Sequence, residues 1–385
     1  MRILQIHNQY QQRGGEDVVV DREAALLRAD GHEVMQLLRH NDEVRGRASW
    51  RLALDAVWSR ESHAAVLARI GQARPEIVHV HNTMPLLSPS VIHAAGQAGV
   101  PVVMTLHNYR LVCPIGLMLR EGAPCEACVG QVPWRAAWHR CYRGSAAQSA
   151  VVAVTLQLHR ALGTWHRGVT RFAAVSGPVR EAMRRGGLPA DRIDVLPNFA
   201  ETATEPPSDA PRHGLLYVGR LAAEKGVDLL RTLAAQNAPG TITVVGDGPL
   251  RAALEAVPGL RCLGPLPPAE VRREMRRARA LLVPSRWAEP FGLTVIEAFS
   301  EGLPALVSAQ GALPELVQAG HTGWVLPADD PQAWQAVLQS VLRSPEEARR
   351  RGDAAREDFL ARWSPARHRE ALLAFYGRAR ASGRD

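Results

Sequence analysis

Gly214-Leu-Leu-Tyr-Val218-Gly219-Arg220-Leu221-Ala222-Ala223-Glu224-Lys225-Gly226 reads as a short apolar strand, a glycine, a polar turn with two cations, and then the start of a helix. The same step opens the chain, where Arg2–Ile6 is apolar, Gly14-Gly15 follows, and a helical pattern runs from Glu16 to Ala29. Outward from these two points the alternation continues. Strands are predicted at 31–34, 76–81 and 101–106 in the first half, and at 241–245, 280–283 and 305–307 in the second, with helical stretches between them. Short Val- and Ile-rich strands alternating with helices describe parallel sheets built from βαβ units. Between the two series, Pro197 to Arg212 carries four prolines and reads as a linker.

The 385 residues suffice for two domains. We expect an α/β protein of two Rossmann-like domains facing a cleft, with residues 1–200 forming the first and 201–363 the second. Residues 107–145 interrupt the βαβ rhythm and look like an insertion at the end of a strand. Three helical patterns close the chain, near 331–342, 345–363 and 364–380, the last opened by Ser364-Pro365 as an N-cap and a first-turn proline.

Hydrophobic residues make up 46% and charged residues 22%, which excludes a disordered or fibrous chain. No run approaches the roughly 18 apolar residues of a spanning helix, and Met1-Arg-Ile-Leu lacks a signal-peptide pattern. A cytoplasmic protein is expected. The net charge of +8 favours anionic partners. Of the 46 basic residues 45 are arginine, which leaves Lys225 as the only lysine. Arginine is a planar fork and lysine a compact point charge, so a site that needs the second cannot use the first. Lys225 therefore stands out as a functional candidate.

Gly219 lets the backbone approach a ligand, while Arg220 and Lys225 across the turn can converge on one anion, and a diphosphate fits them. In Glu289-Pro-Phe-Gly-Leu-Thr-Val-Ile-Glu297, Pro290 and Gly292 keep Glu289 off the helix, so the two glutamates can grip different parts of one ligand. The amides of Phe291, Gly292 and Leu293 lie where a helix start binds phosphate. Thr294-x-x-Glu297 also matches a capping box, which is the structural alternative for Glu297.

These two motifs, in this order and at this separation, resemble the family 4 retaining glycosyltransferases of GT-B fold. Gly246-Asp247-Gly248-Pro249, Leu263-Gly264-Pro265-Leu266, the 320–324 stretch, Gly14-Gly15 and His107 extend the likeness over nearly the whole chain. The resemblance implies a nucleotide diphosphate sugar as donor and a saccharide or lipid-linked acceptor, as in polysaccharide biosynthesis, with no metal or other cofactor for the chemistry. It implies that Arg220 and Lys225 hold the diphosphate, that Glu297 binds ribose hydroxyls, and that Glu289 and His107 contact the transferred sugar. Gly219, Leu266 and the 291–293 amides complete the donor site, Gly15 brings backbone amides near the phosphates and the acceptor, and the last helix, 364–385, crosses back to the first domain.

Other residues have simpler readings. Asp247 reads as a helix N-cap, and Glu16 and Asp17 as first-turn acids that complement a helix dipole, with acceptor contact as the alternative. His79 and His81 share one side of a strand and, lacking a third ligand, read as core or cleft histidines. Cys113, Cys125, Cys128 and Cys141 are candidate ligands of a structural zinc pinning the insertion. Only Cys125 and Cys128 have tight spacing, so free thiols or redox pairs stay open. Trp50, Leu54, Val57 and Trp58 recur at helical spacing beside Arg47, Arg51 and Arg60. A core-facing helix is the preferred reading, and peripheral contact with the inner face of an anionic membrane the other. Two rival functions are a nucleotide-sugar epimerase or phosphorylase of the same architecture and a nucleic-acid-binding protein. Against the second, arginines are spread along the chain without an aromatic RNA-binding signature.

Overall fold

The computed structural model describes residues 1–204 and 211–382, so Pro206 and Pro207 of the linker lie outside the described residues. Contacts divide the chain into two units. One comprises Met1–Met118, Glu126–Pro197 and the chain from Arg369, and the other Leu119–Cys125 and Asn198–His368.

The strands are β1 (Arg2–Gln9), β2 (Glu33–His40), β3 (Ile77–Asn82), β4 (Val102–Leu106), β5 (Leu119–Arg120), β6 (Ala123–Pro124), β7 (Arg171–Ala174), β8 (Ile193–Val195), β9 (Leu215–Val218), β10 (Ile242–Val245), β11 (Leu260–Gly264), β12 (Ala280–Val283), β13 (Ala305–Ser308) and β14 (Gly323–Leu326). The first unit holds a parallel sheet in the order β2-β1-β3-β4-β7-β8, and the second a parallel sheet in the order β11-β10-β9-β12-β13-β14. Strands β5 and β6 form a small antiparallel hairpin inside the insertion. These are two Rossmann-like α/β sheets of the expected class.

Every residue of β3, β4 and β13 is buried. Helices cover both faces of a parallel sheet, so β4 and β13 read as nearly continuous apolar runs, whereas β3 alternates valine with the buried His79 and His81. That is why the central strands are legible in the sequence, whereas β7, β8, β11 and β14 escape notice. They are no shorter than β9, β10, β12 and β13 as a group, but Asp or Arg interrupts the apolar run in β8 and β11, and Arg or Gly opens β7 and β14.

In the first unit, Leu372, Phe375, Tyr376 and Ala379 of the last helix, Pro365–Ser382, pack with Ile3, Ile77 and Val103 of the sheet. The second core gathers Leu230, Ile242, Val244, Leu282 and the fully buried Trp334, whose indole Nε1 donates to the Pro327 carbonyl at 2.8 Å.

The core-facing reading of residues 50–58 is corrected. The helix forms at Ser49–Val57, but Trp50 and Leu54 are each 62% exposed. The helix packs on Ala146–Ala161 and its one fully buried residue is Ala56. At 100° per residue, positions 50 and 54 fall on the uncovered side. Trp58, just past the helix, is the residue that turns inward, stacking on the rings of His63 and His159.

Candidate active site

In the second sheet the chain winds from β9 through β10 to β11 on one side, then returns to place β12 on the other side of β9. Ligands of open α/β sheets bind outside the carboxyl ends of strands at such a switch point. The two loops that leave it, 219–227 after β9 and 284–292 after β12, are the two charged motifs. They are bound tightly together. The Arg286 amide donates to the Glu224 carbonyl at 2.9 Å. Gly226 has φ +68°, and a Cβ there would stand 1.8 Å from the Pro284 carbonyl oxygen, so no larger residue permits this approach.

Across that contact, Lys225 Nζ donates to Glu289 Oε1 at 2.8 Å and Oε2 at 3.0 Å, and lies 5.0 Å from the centre of the Trp287 ring. Glu289 is 8% exposed, and a carboxylate so placed needs charge and hydrogen bonds to compensate its lost hydration. Ser285 Oγ and Trp287 Nε1 also donate to Oε2, at 2.9 and 2.7 Å. Oε2 thus receives three hydrogen bonds and Oε1 one. Gly311, with φ +57°, fits against the Glu289 backbone, where a Cβ would stand 2.3 Å from the amide nitrogen. Arg220 is mostly exposed and lies 3.7 Å from Glu224. Arg220 and Lys225, read from the sequence as converging on one anion, are here each beside a different carboxylate. Tyr217 donates to the Arg220 carbonyl at 2.8 Å, and its own hydroxyl is held neutral by burial and by Glu289 and Glu224.

Two structural readings of the sequence, the capping box at Glu297 and the N-cap at Asp247, are corrected. The helix Leu293–Ser300 is capped by Gly292 at φ +118°, with no side-chain cap, and Glu297 is its fifth residue. The capping box is therefore absent, and Phe291, Gly292 and Leu293 are the residues at the helix start. Asp247 is not an N-cap, because Leu250 precedes the helix Arg251–Glu255. Its carboxylate accepts from the Gly248 amide at 2.9 Å, closing a local turn beside Leu221. Gly219 and Leu266 lie in the loops that follow β9 and β11, and Leu266 is half-buried.

The first sheet has its own switch point between β1 and β3. Gly15 begins the helix Gly15–Ala29 there. Asp17 accepts from the Gly14 amide and from His7 Nε2, each at 2.8 Å. Burial alone would raise its pKa, but these hydrogen bonds hold it below the usual carboxylate value. Burial pushes Glu16 upward instead, and its carboxylate accepts from Tyr10 Oη at 2.9 Å and Asn108 Nδ2 at 3.4 Å.

His107 follows β4, with Nε2 3.0 Å from His81 Nδ1, on the wall of a cavity of about 40 Å³ that Thr105, Arg110 and Trp165 also line. Burial pushes its pKa down to about 3. His79 bonds Tyr376 Oη and Thr105 Oγ1 at 2.8 and 2.7 Å. Sequence reading missed Glu23, whose Oε2 lies 3.8 Å from His79 Nδ1 and 3.6 Å from His81 Nε2. It is the third group that histidine pair lacked, on a different element and 56 residues before His79. Sequence reading also missed Ser285, Trp287, His7 and Tyr10, none of which stands out by type or spacing.

Among the described residues, the one group of three or more ligands within 4.8 Å of one another is Glu23, His79 and His81. Cys113, Cys125, Cys128 and Cys141 form no disulfide among the described residues and are not part of that group. The geometry lends no support to the structural zinc that the cysteine spacing suggests. The insertion contains the β5–β6 hairpin and the helix Trp134–Trp138, and Glu126 forms an ion pair with Arg185.

The comparisons with known proteins follow the same division. The model described as "Glycosyltransferase Family 4" matches residues 13–204, and "Glycosyl transferases group 1" matches residues 200–358. A glycogen synthase of Mycobacterium tuberculosis (strain CDC 1551 / Oshkosh) is 30% identical over 74% of this chain, which spans 64% of that relative's length. A D-inositol 3-phosphate glycosyltransferase 1 of Catenulispora acidiphila is 27% identical over 80% of this chain and 73% of its own. Among solved structures, a sucrose-phosphate synthase from Thermosynechococcus elongatus superposes with a TM-score of 0.73 at 18% identity, covering 99% of both chains. Anabaena HepE in complex with UDP gives 0.67 at 17% identity, over 97% of this chain and 99% of its own. With two adjoining family models spanning residues 13 to 358, and two parallel sheets each carrying its loops at a switch point, the chain belongs to the family 4 glycosyltransferases of GT-B fold.

Proposed function

We propose that the protein is a retaining glycosyltransferase that moves a sugar from a nucleotide diphosphate sugar to a saccharide or lipid-linked acceptor. The observation that carries this reading is the meeting of Lys225 and Glu289 at the second sheet's switch point. Arg220 and Lys225 would hold the diphosphate, aided by the amides at Phe291, Gly292 and Leu293 and by the open backbone at Gly219. Glu297 is assigned to the ribose hydroxyls and Leu266 to the nucleotide. Glu289 Oε2 is saturated, whereas Oε1 accepts one hydrogen bond and has capacity for a sugar hydroxyl. His107 and Gly15 keep the roles the resemblance implies, contact with the sugar and amides near the acceptor.

In the reaction the bond from the anomeric carbon to the phosphate oxygen breaks as the acceptor oxygen bonds to the same face of that carbon. The acceptor proton passes to the departing phosphate oxygen. Arg220 and Lys225 would stabilise the charge that grows on the leaving diphosphate, an interaction stronger in the transition state than in the ground state. This assignment gives the chain's own residues every charge-bearing role.

A thermal-shift panel of nucleotide sugars tests the reading. UDP-glucose comes first, because HepE, a solved neighbour of the same fold, is described in complex with it. A donor at 100 times its dissociation constant should add about 2.7 kcal/mol of stability. Nucleotide release that requires an acceptor, with an α-linked product from an α-linked donor, is the expected result. Release or isomerisation of the donor without any acceptor would favour the epimerase reading.

A further inference from the structure

Large apolar side chains that face solvent are unevenly distributed. Among the described residues, eight of the ten most exposed fall within 50–54 and 132–162 of the first unit. Three helices carry most of them, Ser49–Val57, Trp134–Trp138 and Ala146–Ala161, and the first two both pack against the third. Each presents its apolar residues outward at a spacing of four. Trp50 and Leu54 are 62% exposed, Trp134 and Trp138 are 53% and 85%, and Val154 and Leu158 are 40% and 38%. A helix of a soluble protein turns its apolar stripe inward and its polar face outward. Here three helices, two of them packed against the third, also turn apolar residues to the outside, and apolar exposure concentrated on adjoining helices marks an interaction site.

The charge around the patch selects its partner. Between Glu126 and Glu181 the sequence contains seven arginines and no acidic residue. Arg51, Arg135 and Arg140 are all exposed. Trp–Arg neighbours recur on the outward faces, as Trp50-Arg51 and Trp134-Arg135, and the Arg51 guanidinium lies 5.1 Å from the Trp50 ring centre. Exposed tryptophans set among arginines suit the boundary between acyl chains and anionic headgroups, where the indole has an apolar body and a polar edge. No helix of the described residues is long and apolar enough to cross a membrane, so the contact is one that lies on the surface.

We infer that this three-helix face docks the protein peripherally on an anionic lipid bilayer. The inference goes beyond the proposed transfer reaction and does not depend on it, because docking is read without donor or acceptor.

The test is co-sedimentation of the full chain with vesicles of phosphatidylcholine alone or mixed with phosphatidylglycerol, together with tryptophan emission. Binding should require the anionic lipid, weaken with added salt, and move the emission to shorter wavelength. Trp50→Ser/Leu54→Ser and Trp134→Ser/Trp138→Ser should each lower partitioning at least tenfold. Arg51→Gln/Arg135→Gln/Arg140→Gln should remove most of the dependence on anionic lipid. All these side chains are exposed, so unchanged melting temperatures are expected and serve as the folding control. Failure of the full chain to bind anionic vesicles would overturn the inference. So would binding that the tryptophan variants leave intact, concentration-dependent dimerisation that these substitutions abolish, or displacement from vesicles by random duplex DNA.

Discussion

Replacing Lys225 with arginine asks whether the site needs only a positive charge. Arginine can still pair with Glu289, so folding stability should change by less than about 1 kcal/mol. Geometry is the constraint. The Lys225–Glu289 contact is 2.8 Å, and the Gly226–Pro284 approach is too tight for the loop to retreat. A longer, planar guanidinium must then displace its charge by about an ångström, a misplacement that costs on the order of a hundredfold in rate. Lys225→Met separates charge from shape. It leaves the carboxylate of Glu289 with only Ser285 and Trp287 as donors. Orphaning a fully buried ion costs about 3–5 kcal/mol. Because Lys225 is itself 25% exposed and two donors remain, the cost here should be nearer about 1–2 kcal/mol, or roughly 3–8 °C in melting temperature. Donor-dependent turnover and thermal melting of the three proteins decide the matter. If Lys225→Arg turns over within about twofold of the parent, the single lysine is a compositional accident and the reasoning fails.

Glu297→Gln should raise the Michaelis constant for the donor more than it lowers turnover, since a ribose contact acts alike in ground and transition states. An unchanged constant with collapsed turnover would remove that role. Gly226→Ala should destabilise the protein by several kcal/mol, about 2–4, through its positive φ and the Pro284 clash. The same change at Gly31, which has φ +78° and no atom within 4 Å of its added Cβ, should cost only about 1 kcal/mol. Comparative denaturant melts would expose an error if the two cost alike. His107 binds its proton more weakly when folded, with a pKa of about 3 against about 6.5 in the unfolded chain. Its contribution to stability is therefore present above pH 6.5 and is lost as pH falls toward 3, by up to about 1.4 kcal/mol per pH unit. The fall of stability with pH in this window should be shallower in His107→Asn, and an identical slope would contradict the burial of the imidazole.

The readings that held rest on local chemistry. Val103, Leu282 and Val307 sit in short apolar runs because a strand covered on both faces is mostly apolar, and that pattern is written in consecutive residues. Gly219 marks where β9 hands over to its loop, and Gly292 where the loop after β12 hands over to a helix. Lys225, whose role is part of the proposal, stands out on the same local kind of evidence, because 45 arginines show how the chain meets an ordinary demand for positive charge. None of these inferences requires knowing which distant residue lies nearby.

The readings that failed, or could not be made, concern pairs brought together by the fold. Lys225 and Glu289 are 64 residues apart, and only the return of the chain to β9 at the switch point makes one carboxylate the partner of that ammonium. Glu23 joins His79 and His81 because a helix crosses the sheet above them, and Tyr376 reaches His79 from the far end of the sequence. The cysteines share a segment, but no three of them bring their sulfurs within 4.8 Å of one another. Periodicity shows that Trp50, Leu54 and Trp58 recur along a helix, but it cannot say which side a neighbouring helix covers, and that cover leaves Trp50 in solvent and Trp58 among histidine rings. Local propensity and loop chemistry were determined by the sequence itself; which charges are paired and which apolar faces are left open was decided by tertiary structure, because both depend on distances between residues remote along the chain.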